Sequence, residues 1–196
     1  MDAQTIKYYD DNAAEKAALY DTADMSWMYA DLQMLLPPSA TILEIGCGNG
    51  RDARALASLG FKVTATDASM KMLDEAKSRT HHGQVEYIHA AFPLAANSPL
   101  FSHKFDAVLA VAVLMHIPVN ERPLFFSQIS SLLTDVGILY CSYTNRSTTD
   151  ARLFAVTDKA ELFRQLSKAG LTLAKSIANT DSLSRPIEWE TVVALK

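Results

Sequence analysis

Hydrophobic positions along this chain fall into two rhythms. Short apolar, β-branched runs recur from residue 41 onward, separated by stretches in which apolar residues return every three or four positions. The runs Thr41 to Ile45, Lys62 to Thr66, Val85 to His89, Phe105 to Val111 and Ile138 to Tyr143 read as strands. Between them, Ala53, Leu56 and Ala57, then Met72, Leu73 and Ala76, then Phe125, Ile129, Leu132 and Leu133 mark the inward stripes of helices. A further helix buries Leu162, Leu166 and Ala169. Leu171 to Ala178 and Glu188 to Leu195 are two closing strands with no helix between them, so they are expected to pair antiparallel. Strand and helix alternate throughout. That pattern predicts an α/β fold: a doubly wound, mostly parallel seven-stranded sheet with an antiparallel C-terminal strand and helices on both faces.

Turn and cap residues set the boundaries. Gly60 and Gly170 end helices, and Gly83 and Gly137 lie in turns. Ser69, Asn120 and Thr157 or Asp158 are candidate N-caps, with Pro123 tolerated in a first turn. Ahead of the first strand, Asp24 or Ser26 caps a helix bearing Met28, Leu32, Leu35 and Leu36, and Pro37-Pro38 stops it. Trp27 and Tyr29 read as packing residues. Residues 2–23 are polar with the aromatic islands Tyr8, Tyr9 and Tyr20.

One stretch carries the chemistry. The first strand ends in Glu44 and runs into Gly46-Cys47-Gly48-Asn49-Gly50, with glycine at alternate positions. Such a loop turns sharply, lets a ligand touch the backbone and feeds a helix N-terminus that favours an anionic group. Asp67, at the tip of the second strand, is spaced to grip two ribose hydroxyls. A nucleoside-containing cofactor is the natural occupant. The dinucleotide fingerprint places its third glycine one residue further on, where this chain has Arg51.

Glu44-Ile45-Gly46-Cys47-Gly48-Asn49-Gly50, followed by Asp67, resembles the first motifs of the class I S-adenosylmethionine-dependent methyltransferases. Asp106 and the run Val111 to Pro118, at the two ends of the fourth strand, are similar to that family too. The resemblance covers the chain from Pro37 onward. It implies a single methyltransferase-like domain over 1–196, with residues 1–36 as a helical cap and 37–196 as a Rossmann-like core. It also implies S-adenosyl-L-methionine as methyl donor and S-adenosyl-L-homocysteine as product. Carried over residue by residue, Gly46, Cys47, Gly48 and Gly50 cradle the methionine and ribose. Glu44 orders the loop or receives the amine, directly or through water, and Arg51 either pairs with the carboxylate or stands on the surface. Asp67 binds the ribose. Ala68 and Met72 pack on the adenine, Met72 being equally readable as plain core. Where many relatives carry an acid after the third strand, this chain has Ala91 and then Phe92, so adenine recognition is expected to rest on backbone groups and Phe92 packing. Val111 borders the reaction centre. On the acceptor side, His116 is a base, a loop-orienting residue or a core histidine. Tyr8 or Tyr9 reaches the site from the N-terminal segment.

Composition narrows the partners. The net charge is −4, with 18 Lys and Arg against 22 Asp and Glu, and no long basic cluster. That argues against nucleic acid or an anionic membrane as the main partner. There is no signal-peptide pattern and no apolar run long enough to span a bilayer, so the expected setting is cytoplasmic. Cys47 and Cys141 read as small buried hydrophobes. His81-His82 reads as a solvated turn, and the histidines show no metal spacing. The Asn/Asp-Pro-Pro-aromatic motif of base-amino methylases and the Pro-Cys of cytosine-carbon methylases are both absent. The expected acceptor is therefore a small molecule, and the expected state a monomer or homodimer. An NAD-dependent oxidoreductase fits the glycine spacing and the closing strand pair less well. A non-catalytic S-adenosylmethionine-binding subunit stays open.

Overall fold

The computed structural model describes residues 2–81 and 83–196, so His82 of the expected His81-His82 turn lies outside the described residues. The strands are β1 (Thr41–Ile45), β2 (Lys62–Asp67), β3 (Glu86–His89), β4 (Phe105–Ala110), β5 (Leu133–Tyr143), β6 (Thr172–Thr180) and β7 (Glu188–Leu195). They form one seven-stranded sheet in the order β3-β2-β1-β4-β5-β7-β6. The pairs from β3 through β5 are parallel, and β7 runs antiparallel to both β5 and β6. The expected fold class is the one observed. The chain winds outward from β1 to β3, then returns to β4 on the other side of β1. The crevice beyond the carboxyl ends of β1 and β4 is thus a topological switch point, where open α/β sheets bind ligands.

Side-chain alternation along the strands splits the core in two. Ile42, Ala107, Leu109, Ile138 and Tyr140 face α3 (Ser26–Leu35) and α4 (Arg51–Ser58), meeting Met28, Leu32, Ala53 and Leu56. Leu43, Val108, Ala110, Leu139 and Cys141 face the opposite way, toward α6 (Arg122–Leu132) and α7 (Lys159–Lys168), meeting Phe125, Phe126, Ile129, Leu162 and Leu166. Between these groups, α5 (Met70–Ser78) covers the β2 and β3 end. Cys47 and Cys141 are both free and buried, in different clusters, with β4 lying between β1 and β5.

Several boundaries differ from the sequence expectation. The polar stretch before residue 23 folds as two helices, α1 (Ala3–Asp11) and α2 (Ala13–Asp21), the first capped by Asp2, whose carboxylate accepts the Thr5 N–H. Asp24 accepts the Ser26 N–H in a turn leading into α3, while Ser26 is itself helical. Asn120 caps nothing: a short 3₁₀ turn over Val119–Glu121 absorbs it before α6 starts. Asp158, not Thr157, caps α7. Gly137 lies inside β5, which begins at Leu133, and a Cβ there would crowd Leu133 and the Phe105 carbonyl. Trp27 is 40% exposed, so it is not a core packing residue.

Gly50 shows why the loop needs glycine at its last position. Its φ is +72°, and a Cβ would overlap the Tyr87 hydroxyl and sit 3.0 Å from the Ala76 Cβ. Gly50→Ala is expected to lower unfolding free energy by about 2 kcal/mol or more, from left-handed strain plus overlap. Urea denaturation measures it. Adding Tyr87→Phe is expected to recover part of the loss by removing the crowded oxygen.

Candidate active site

A single cleft at the switch point gathers residues from six parts of the chain. It is lined by the glycine loop, the tips of β2 and β4, the N-terminal helices, the segment after β5, and the β6–β7 connection. One end is built around β1. The Cys47 N–H donates to the Thr66 carbonyl (2.9 Å) and the Gly50 N–H to the Cys47 carbonyl (2.9 Å), which folds the loop back over β2. Asp67 fastens the fold-back: its Oδ2 accepts the Gly48 N–H (2.8 Å) and its Oδ1 the Ser69 N–H (2.8 Å). Burial pushes the Asp67 carboxyl up to about 6, against the pull of these backbone donors. Gly48 holds φ +57°, and the atoms nearest to a Cβ there, on Met72 and Tyr20, stand at the ordinary contact distance of 3.5 Å.

Glu44 lies beneath this loop. It is 2% exposed, and its Oε2 has no hydrogen-bond partner. Burial, reinforced by the nearby Asp52 charge, holds its carboxyl well above the usual range. Arg51 spans the rim, donating through Nε to Asp52 Oδ1 (2.8 Å), through Nη2 to Asp52 Oδ2 (2.9 Å) and through Nη1 to the Tyr20 carbonyl (3.0 Å). The Tyr29 hydroxyl also donates to Asp52 (2.5 Å). Asn49, unnoticed in the sequence, is 1% exposed and donates to the Ala17 carbonyl and to Asp21, tying α2 onto the loop.

The cleft is lined by Glu44, Gly46, Cys47, Gly48, Arg51, Asp67, Met72 and Val111 of the sequence-derived cofactor set, and by Tyr9 and His116 of the acceptor set. Five others stand elsewhere. Gly50 packs against Tyr87 and Ala76. Ala68 is buried, its carbonyl bonded to the His89 ring. Ala91 is exposed, and Phe92 is buried edge-on against Phe125, so neither lines the cleft. Tyr8 stands behind Tyr9, under the Arg152 guanidinium. Burial raises the Cys47 thiol well above its ordinary value, so it is no nucleophile at neutral pH.

The other end of the cleft is built around His116. It is 3% exposed, at the turn that follows β4. Its Nδ1 lies 2.6 Å from the Leu153 carbonyl, which can only accept, so Nδ1 carries the proton. Nε2 is then an acceptor and takes the Tyr9 hydroxyl at 3.2 Å. Burial pulls the imidazole down to about 4, and the Arg152 and Arg146 charges add to that. Beside it, Ala112 holds φ +58° and donates its N–H to the Ser142 hydroxyl (3.0 Å), a strained step that bends the chain out of β4. Arg146, Arg152, Phe154, Arg185 and Trp189 complete this end, all missed by motif reading because they come from segments without one.

The depressed His116 value has a sign. Between about 4 and 6.5 the unfolded chain binds this proton and the folded chain does not, so the His116 contribution to stability is lost as pH falls through that window. Asp67, raised to about 6, acts oppositely over much of the same range. Nitrogen-15 shifts are expected to report a neutral, Nδ1-protonated His116 down to about pH 4. His116→Gln is expected to remove its part of the acid-side decline in unfolding free energy.

Residues 42–137 match the family described as "Methyltransferase domain". A Ubiquinone biosynthesis O-methyltransferase from Xanthomonas campestris pv. campestris is 35% identical over 134 residues, covering 67% of this chain and 54% of that protein. The chain thus spans about half the length of the curated relatives it matches. Among solved structures, Burkholderia thailandensis 1,6-didemethyltoxoflavin-N1-methyltransferase, with bound 1,6-didemethyltoxoflavin and S-adenosylhomocysteine, superposes with a TM-score of 0.76 at 20% identity, covering 99% of this chain and 88% of that one. Magnesium protoporphyrin IX methyltransferase from Synechocystis PCC 6803 superposes with a TM-score of 0.75 at 18% identity over 100% of both chains. At such identities the structural likeness speaks for the fold. With the sheet order and the glycine loop answered by Asp67, residues 42–137 belong to the methyltransferase-domain family, in a chain with the class I S-adenosylmethionine-dependent methyltransferase fold.

Proposed function

We propose that this chain transfers a methyl group from S-adenosylmethionine to a hydroxyl of a small-molecule acceptor, leaving S-adenosylhomocysteine. The observation that carries the reading is Glu44. A buried carboxylate oxygen without a partner costs stability, and it persists where a ligand brings the donor. The amine of a methionine moiety is such a donor. Asp67 spends two contacts on backbone N–H groups and keeps lone pairs for ribose hydroxyls. Gly48 leaves room for close approach, and Met72 offers apolar surface to a base. Arg51 has guanidinium hydrogens beyond those held by Asp52 and Tyr20, available to a carboxylate.

When bound, the donor supplies a methyl already activated on a sulfonium. The protein's share is then orientation and exclusion of water. The N-terminal helices act as the cap: Tyr9 and Tyr20 close over the cleft. At the acceptor end, Tyr9 and His116 present a hydrogen-bond chain of fixed polarity, Tyr9 hydroxyl to Nε2 and Nδ1–H to the Leu153 carbonyl. An acceptor hydroxyl donating to the Tyr9 oxygen would release its proton along that chain to Nε2. The likeness to the Xanthomonas O-methyltransferase supports an oxygen acceptor.

Calorimetric titration with S-adenosylhomocysteine tests the reading. Asp67→Asn is expected to weaken binding roughly ten- to a hundredfold, the value of one charge-assisted hydrogen bond. Unchanged affinity would take Asp67 out of the site. Burial holds the Glu44 carboxyl above its usual range and an ammonium beside it would pull it back down, so binding is expected to release protons at any pH where the free carboxyl still holds one. Titration in two buffers of different ionisation enthalpy reads that release, and Glu44→Gln is expected to abolish most of it.

A further inference from the structure

The acceptor end of the cleft carries an unbalanced positive charge. Three arginines line it: Arg146, Arg152 and Arg185. Arg152 is held by Asp150, with Nε to Oδ1 at 2.9 Å and Nη2 to Oδ2 at 2.5 Å. Arg185 is held by Asp181, with Nε to Oδ2 at 2.9 Å and Nη2 to Oδ1 at 2.7 Å, and Asp181 also accepts the Trp189 Nε1–H at 2.8 Å. Both aspartates are thereby spent. Arg146 has no carboxylate within ion-pair distance among the described residues, and no hydrogen bond to its guanidinium. Its guanidinium lies over the face of Phe154, 4.8 Å from guanidinium carbon to ring centroid.

Arg146 is not a loose surface side chain. It is half-buried, and the chain leading into it is pinned. The Arg146 N–H donates to the Thr144 hydroxyl. The Asn145 side chain donates to the Thr157 carbonyl (3.0 Å) and accepts the Thr157 N–H (2.8 Å), closing the loop that carries Arg146. A ring under one face leaves the edges of the guanidinium, with their paired N–H groups, for a partner in its plane. A carboxylate matches that edge bidentately.

Building on the methyl-transfer reading, we propose that the acceptor carries a carboxylate that seats on the guanidinium of Arg146, with its body between Phe154 and Trp189. A hydroxylated acid of modest size fits this description. The contact has a second effect. Arg146 is one of the charges that oppose protonation of His116, so an anion placed on it restores proton affinity to Nε2. Selection of the acceptor and activation of its proton acceptor then come from the same ion pair. Arg146, Phe154 and Trp189 all lie outside the matched residues 42–137.

The test uses matched probes on the protein saturated with S-adenosylhomocysteine: 4-hydroxybenzoate and 3,4-dihydroxybenzoate against the corresponding benzamides. Calorimetry is expected to show the acids binding at least about tenfold more tightly than the amides. Arg146→Gln is expected to cost the acids roughly ten- to a hundredfold, while S-adenosylhomocysteine affinity stays within about threefold, and Arg146→Lys is expected to keep part of the preference. The nitrogen-15 titration of His116 is expected to move upward when the acid is bound, and not in Arg146→Gln. Acids and amides binding equally, or no acid binding while S-adenosylhomocysteine does, would overturn this inference and leave methyl transfer standing. Failure of S-adenosylhomocysteine itself to bind would remove both.

Discussion

The structure depends on a single carboxylate shared between two backbone donors. Asp67 joins the Gly48 N–H to the Ser69 N–H, and so ties the loop after β1 to the start of α5. Ser69 caps α5 by accepting the Met72 N–H, and its hydroxyl donates to Asp10 of α1. Strand tip, glycine loop, helix cap and N-terminal helix are therefore one hydrogen-bonded unit. Its cost is a carboxylate whose ionisation is resisted by burial, which the backbone donors offset in part. A group that both builds the pocket and faces it cannot be altered for one purpose alone.

The two ends of the cleft are opposite in charge logic. Around β1 the acids outnumber the bases: Glu44, Asp52 and Asp67 against Arg51. Around His116 the arginines outnumber the aspartates. Under the proposed reading, a donor bearing a sulfonium and an ammonium takes the first end and an anionic acceptor the second. The field along the cleft thus favours bringing the two reactants together in one orientation.

Much of this was legible in the residues. The β1 loop, Asp67 and the strand–helix alternation are local signals, and local signals survive folding. Ser69 and Asp158 cap where their spacing placed them, and Met72 lines the cleft. What could not be read is what depends on distant chain segments meeting. Helices α1 and α2 present Thr5, Ala13 and Ala17 to the interior, with no large apolar stripe to announce them. Asn120 is a good cap residue, but the 3₁₀ turn took its place. Ala91 and Phe92 follow β3 where many relatives carry an acid, and the expected adenine contact fails because Phe92 turns into the core against Phe125. The arginines of the acceptor end carry no motif, and only the sheet order brings the ends of β5 and β7 to the same crevice.

The position of β7 has a consequence for how such a chain is made. It inserts between β5 and β6, pairing with β5 from Ile138 to Tyr143, although β6 precedes it in the chain. During synthesis β5 emerges well before the strand that covers its flank. Until residues 188–195 leave the ribosome, that flank is a bare row of amide and carbonyl groups of the kind that recruits stray strands. The pairing of β7 with β5 is what closes that flank in the folded protein.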